Sequence, residues 1–176
     1  MRRYTVLVML LMLSQLKAWS SVTDSIPADP KDVSTADALL TAVYTTISGP
    51  AGETRNWDRF RTLFLPEARL VATGKCADGM MGKRTMSAED YIKTSGPFLE
   101  KDGFYEKEIG RKTDQFGSVM QVFSTYESRK TLQDEKPFMR GINSIQLWFD
   151  GKRWWVLTIF WQAESPELPV PAQYIN

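Results

Sequence analysis

The spacing of hydrophobic positions changes part-way along the chain. From Ser34 to Ser48, Ala36, Leu39, Leu40, Val43, Tyr44 and Ile47 recur at i, i+3, i+4, i+7. That spacing lays apolar side chains along one face of an α-helix. Ser34 with Asp37 reads as its capping box, and Gly49-Pro50 as its stop. Asn56 caps a second, short helix over Trp57 to Leu65, with Trp57, Phe60 and Phe64 on one face and Pro66 beyond its end. Ala68 to Thr73 is a short strand, and the Gly- and Met-rich stretch from Cys76 to Arg84 a loop. Ser87 and Asp90 form a second capping box, opening a helix to about Leu99 that Pro97 should kink or shorten.

From Phe104 the period drops towards two. Phe104 to Lys112, Ser118 to Arg129, Phe138 to Phe149 and Lys152 to Gln162 are four strands in series. Their short connections make them antiparallel. The last two form a hairpin about Asp150-Gly151, residues that tolerate the backbone of a tight turn. A two-residue loop pairs Phe149 with Lys152, Leu147 with Trp154, Ile145 with Val156, Asn143 with Thr158 and Gly141 with Phe160 on one face. That face is apolar except at Asn143 and Thr158, so it belongs on the concave side, under the helices. The opposite face carries Trp155, Leu157, Ile159 and Trp161 beside Ser144 and Gln146. It is too apolar to lie bare in water and suggests a homodimer formed sheet against sheet. On the second strand of the series, Met120, Val122, Ser124 and Tyr126 share a face, so Ser124 and Tyr126 can form a pocket wall. Glu106 and Glu108 alternate with Tyr105 and Lys107; either points to solvent or, through a bulge, turns inward.

The ends of the chain add a compartment. Arg2 and Arg3, an apolar run from Thr5 to Leu16 and the small residues of Ala18-Trp19-Ser20 read as a secretory signal over residues 1–20. Its apolar run is too short to span a bilayer. Residues 21–33 read as a linker or arm, residues 34–164 as one domain, and residues 165–176, rich in proline, as a surface tail. The expected location is periplasmic or secreted, with no membrane contact after cleavage. Losing Arg2, Arg3 and Lys17 takes the net charge from +1 to −2. A weakly acidic domain without a basic run is a poor nucleic-acid binder. The single Cys76 cannot form an intrachain disulfide and reads as a buried thiol. There is no histidine, which removes a Ser-His-Asp triad and a His-ligated zinc; one cysteine removes a thiolate-only zinc site. No metal or cofactor site is expected, and no Gly-rich phosphate loop is present.

The order helix, short helix, short strand, helix, four antiparallel strands resembles the nuclear transport factor 2-like superfamily, also called SnoaL-like, and most of all its exported bacterial members. The segments that carry it are TADALLTAVYTTISG, NWDRFRTLFLPEARLV, EDYIKTSGPFLEKDGFYEKEI, VFSTYESR and GINSIQLWFDGKRWWVLTIFWQAE, over roughly residues 34–164. The resemblance implies an α+β cone: a curved antiparallel sheet packed on about three helices, with a pocket at the open end. It also implies frequent dimerisation. The superfamily holds ketosteroid isomerase, scytalone dehydratase and polyketide cyclases beside members that only bind, so the fold leaves activity open.

Three readings stand side by side. In the first, the domain binds a small apolar ligand without catalysis, through Trp57, Phe60, Ser124, Tyr126, Asn143 and Thr158. In the second, it is a cofactor-free isomerase, dehydratase or cyclase. There Glu106 or Glu108 would shuttle a proton and Tyr126 steady an oxyanion, with Asp58 as another candidate base. In the third, it is an assembly module acting through its outer sheet face.

Overall fold

The computed structural model describes residues 27–175. The leader-like segment and the first part of the arm lie outside the described residues. Four helices come in chain order: α1 (Pro30–Val33), α2 (Ala36–Ile47), α3 (Trp57–Arg61) and α4 (Ala88–Asp102). Six strands, β1 (Phe64–Lys75), β2 (Met81–Met86), β3 (Tyr105–Phe116), β4 (Val119–Arg129), β5 (Met139–Phe149) and β6 (Trp154–Ala163), form one sheet in the order β2-β1-β6-β5-β4-β3. β3 to β6 are an antiparallel meander, whereas β1 joins β6 in parallel and carries β2 at the edge. No helix among the described residues is long and apolar enough to cross a membrane.

Local chemistry shifts several boundaries. Asp29 caps α1, whose last turn takes the Ser34 N–H onto Pro30. Ser34 is therefore spent on α1, and Thr35, not Ser34, caps α2 by accepting from the Ala38 N–H at 3.0 Å. The Ser87–Asp90 capping box forms as read, and α4 continues through Pro97 to Gly103. Gly103 has φ 73° and lies where a Cβ would stand 2.7 Å from the Lys130 carbonyl, so only glycine suits that turn. α3 ends at Arg61 and β1 begins at Phe64, earlier than the proline suggests. Pro66 falls where the β1–β6 register is broken, so its missing N–H costs no ladder bond. The expected loop from Cys76 to Arg84 is a loop only as far as Met80, its second part being the start of β2, and Cys76 is exposed rather than buried.

The closing hairpin departs from the two-residue turn. Its loop has four residues, because Phe149 pairs with Trp154. Asp150 takes over the turn: its Oδ1 accepts from the Lys152 and Arg153 N–H groups at 2.7 and 2.8 Å, and its Oδ2 from Trp155 Nε1 at 2.8 Å. Near the loop the expected faces hold. Farther on, a bulge inserts Leu157 between the partners of Leu147 and Gln146. Beyond it every β6 side chain changes face: Ile159 and Trp161 pair with Ile145 and Asn143, while Thr158 and Phe160 pair with Gln146 and Ser144.

The core lies between the concave face and the helices. Leu39, Leu40 and Val43 of α2 meet Phe60, Val122, Ile145 and Val156. Each such side chain contributes roughly 1.5–3 kcal/mol on burial. Behind the sheet, the tail after β6 folds back as a strap. Glu164 is held by Arg140 at 2.6 and 3.0 Å, and the Tyr174 carbonyl accepts from Thr125 Oγ1 at 2.7 Å.

Candidate functional site

A cavity of about 210 Å³ opens between the helices and the concave face. Its walls are largely apolar: Val43 and Ile47 of α2, Phe60 of α3, Leu70 of β1, Leu99 of α4, and Ile159 and Trp161 of β6. Into this lining project Tyr91, Ser95, Glu106, Tyr126 and Asn143. A few polar groups converging in an apolar concavity is the usual form of a small-molecule site.

Glu106 is placed by its backbone. Gly49 and Phe104 exchange two backbone hydrogen bonds, at 2.7 and 3.0 Å, tying the end of α2 to the start of β3. Ser48 Oγ then accepts from the Glu106 N–H at 3.0 Å. Across the ladder Glu106 pairs with Ser128 and Glu108 with Tyr126, so both β3 carboxylates lie on the same, inward side of the sheet as these two β4 residues. Ser128 Oγ donates to Glu106 Oε2 at 2.9 Å. Among the described residues no lysine or arginine forms an ion pair with Glu106. Burial therefore pushes its pKa up to about 7, against the opposing pull of hydrogen bonds from Ser128 and Asn143.

Tyr126 is 1% exposed, and its Oη has no hydrogen-bond partner among the described residues. It fits because position 141 is glycine: a Cβ there would stand 2.6 Å from the hydroxyl. Burial and the nearby Glu106 raise the Tyr126 pKa, so it stays a neutral donor. Tyr91, shifted the same way for the same reasons, lies edge-on to Trp161 with ring centroids 6.4 Å apart.

Below the cavity floor a polar chain runs towards the surface. Asn143 Nδ2 donates to Tyr44 Oη at 3.1 Å, and Tyr44 Oη meets Ser124 Oγ at 2.6 Å. Ser124 Oγ donates to Glu108. Arg111 grips Glu108 at 2.7 and 2.8 Å and also reaches Asp37. A bulge at Ile109 makes that grip possible. Three residues apart in a regular strand, Glu108 and Arg111 would face opposite ways; the extra residue puts both inside.

The sequence-derived residues thus separate. Glu106, Tyr126, Phe60 and Asn143 meet at the cavity. Ser124 and Glu108 lie in the chain beneath it. Trp57 stands outside the lining, edge-on to Phe60, with its Nε1 on Glu100. Asp58 is no candidate base: it is exposed and paired with Arg61 at 2.8 Å. Thr158 is turned away by the Leu157 bulge, and Ile159 takes its place. The same bulge removes Ile159 and Trp161 from the outer face, while Trp155 is buried under the Arg153 guanidinium. Of the four residues expected on a dimer face, Leu157 alone is exposed there. Tyr91, Tyr44 and Ser128 were missed. Tyr44 reads as an ordinary member of an apolar helix face, and nothing in one sequence marks a hydroxyl aimed at a cavity.

No family model matches the chain, and no curated protein does. Solved structures do. A protein of unknown function with a cystatin-like fold from Nostoc punctiforme aligns over 77% of this chain and 96% of its own, at 12% identity and TM-score 0.53. A candidate calcium/calmodulin-dependent kinase II association domain from Exiguobacterium sibiricum aligns over 74% and 91%, at 13% identity and TM-score 0.51. Both share a helix-covered sheet with this chain. The likeness shows the fold: an α+β, helix-covered curved sheet of the kind called cystatin-like in the first of these structures. An NTF2-like protein of unknown function from Shewanella baltica also aligns, over 72% and 89%, at 13% identity and TM-score 0.44. At such identities the likeness speaks to the fold alone and leaves the chemistry to the cavity.

Proposed function

We propose that this exported nuclear transport factor 2-like domain binds a small, mostly apolar molecule bearing one hydrogen-bond-accepting oxygen. The observation that carries the reading is the Tyr126 hydroxyl, buried beside an apolar cavity without a hydrogen-bond partner among the described residues. A buried donor left unmade costs about 1–3 kcal/mol, which an acceptor supplied by a ligand would recover. The volume, about 210 Å³, lies below the roughly 300–1,000 Å³ of drug-sized sites, so the ligand is small.

Acetophenone and α-methylstyrene make the test, because they share a shape and differ in C=O against C=CH₂. Ligand-observed NMR should give the ketone about tenfold tighter binding, and Tyr126→Phe should abolish the difference. Equal binding of the two by the unaltered protein would sink the reading.

A second reading, proton transfer next to a carbonyl, is favoured by Glu106. A carboxyl with a pKa about 7 exchanges protons readily at neutral pH, and a neutral tyrosine donor shares its cavity. In deuterated buffer the protein should then speed deuterium uptake at the acetophenone methyl group, and Glu106→Gln should stop it. An uptake rate equal to that of buffer alone would leave binding without catalysis.

A further inference from the structure

The chain beneath the cavity has a direction that its contacts determine. Ser124 has one hydroxyl proton, and it goes to Glu108. In the 2.6 Å contact between Ser124 and Tyr44 either oxygen could donate on distance alone. Ser124 has no second proton to give, so Tyr44 must be the donor. Tyr44 Oη has then spent its own proton and can only accept from Asn143. The Asn143 group facing Tyr44 is consequently its NH₂, whose second N–H is free for Glu106. Every proton in the series is ordered by the acceptor at its far end.

We propose that Glu108 is a positioning residue for the cavity carboxylate: through Ser124, Tyr44 and Asn143 it presents an N–H donor to Glu106 and so favours the ionised form of Glu106. This deepens the reading of Glu106 as the cavity's proton-exchanging group and rests on it. The groups facing Glu106 are Tyr44 of α2, Tyr91 of α4, Tyr126 and Ser128 of β4 and Asn143 of β5. None is a cation, so hydrogen bonds set the balance.

Glu108→Gln makes the test decisive, because two effects have opposite signs. A glutamine can donate to Ser124, reversing the chain and turning the Asn143 carbonyl towards Tyr44. Glu106 then loses a donor and its pKa rises. Removing a nearby negative charge, and leaving Arg111 less neutralised, would instead lower it. The midpoint is read by ¹³C NMR of glutamate-labelled, ligand-free protein, with the Glu106 resonance assigned by its loss in Glu106→Gln. We expect the midpoint to rise by about one pH unit, the worth of one hydrogen bond to a charged group. An unchanged or lowered midpoint overturns the proposal. If Glu108→Gln does not fold, Tyr44→Phe breaks the chain without changing any charge, and the same upward shift is required of it. No ligand is involved, so failure of acetophenone to bind would leave this result standing.

Discussion

At the scale of single residues, Glu106 and Arg55 show two ways of holding a charged side chain away from water. Arg55 points its guanidinium at backbone carbonyls: Ile47 at 3.1 Å, Gly49 at 2.6 Å, Glu53 at 2.6 Å and Leu99 at 2.9 Å among them. The C-terminal ends of α2 and α4 thereby receive a cation where their dipoles favour one. Glu106 has only neutral donors, and its raised pKa turns into a pH-dependent cost. Its ordinary value is 4.5 and its folded value about 7, so between them the folded protein holds a proton that the unfolded chain has lost. Whatever stability the proton secures is complete below pH 4.5 and is lost as pH rises through about 7. Glu106→Gln should therefore match the parent protein near pH 4.5 and exceed it at pH 8 by about 3 kcal/mol, seen as a higher urea midpoint. Equal midpoints at pH 8 would contradict the assigned burial. Glu106 was legible as one of two alternating carboxylates. Its inward aim was not, because alternation names a face without saying which side of the sheet is covered.

Among the elements, the strands of the meander and the amphipathic α2 could be read from periodicity, since burial on one face imposes it. The β1–β2 pair was harder. Its Gly- and Met-rich second strand is an exposed edge with no buried stripe to announce it. The far half of β6 was misread because WWVLTIFW is apolar at odd and even positions alike, leaving nothing to mark the extra residue. The bulge makes a sharp prediction. Leu157→Ala, at a position 39% exposed, should change stability by less than about 1 kcal/mol. Deleting Leu157 should return Ile159 and Trp161 to the convex side and abolish cooperative unfolding followed by circular dichroism. A deletion variant as stable as Leu157→Ala would show that the strand tolerates either register.

For the molecule as a whole, the tail matters more than its proline content suggested. It was expected to run over the surface; it is pinned there at both ends, roofing an apolar groove of about 250 Å³ whose walls include Phe123, Ile142 and Phe160. Thr125 is fully buried beneath it, and Phe123 meets Tyr174 at 5.2 Å between ring centroids. Removing residues 165–176 should uncover that strip of the convex face. The truncated protein should bind an apolar dye such as anilinonaphthalene sulfonate more strongly and associate with rising concentration in sedimentation. A truncated protein as dye-silent and monodisperse as the parent would mean that the strap covers little.

The inward turn of Trp161 has an optical consequence. An indole lines the chamber, and Tyr91 stands edge-on beside it at 6.4 Å, within easy range for passing excitation. Whatever enters exchanges the medium around that indole, water for carbon or the reverse. The emission colour of this one side chain, isolated by difference against Trp161→Phe, reports an occupant without any label being attached.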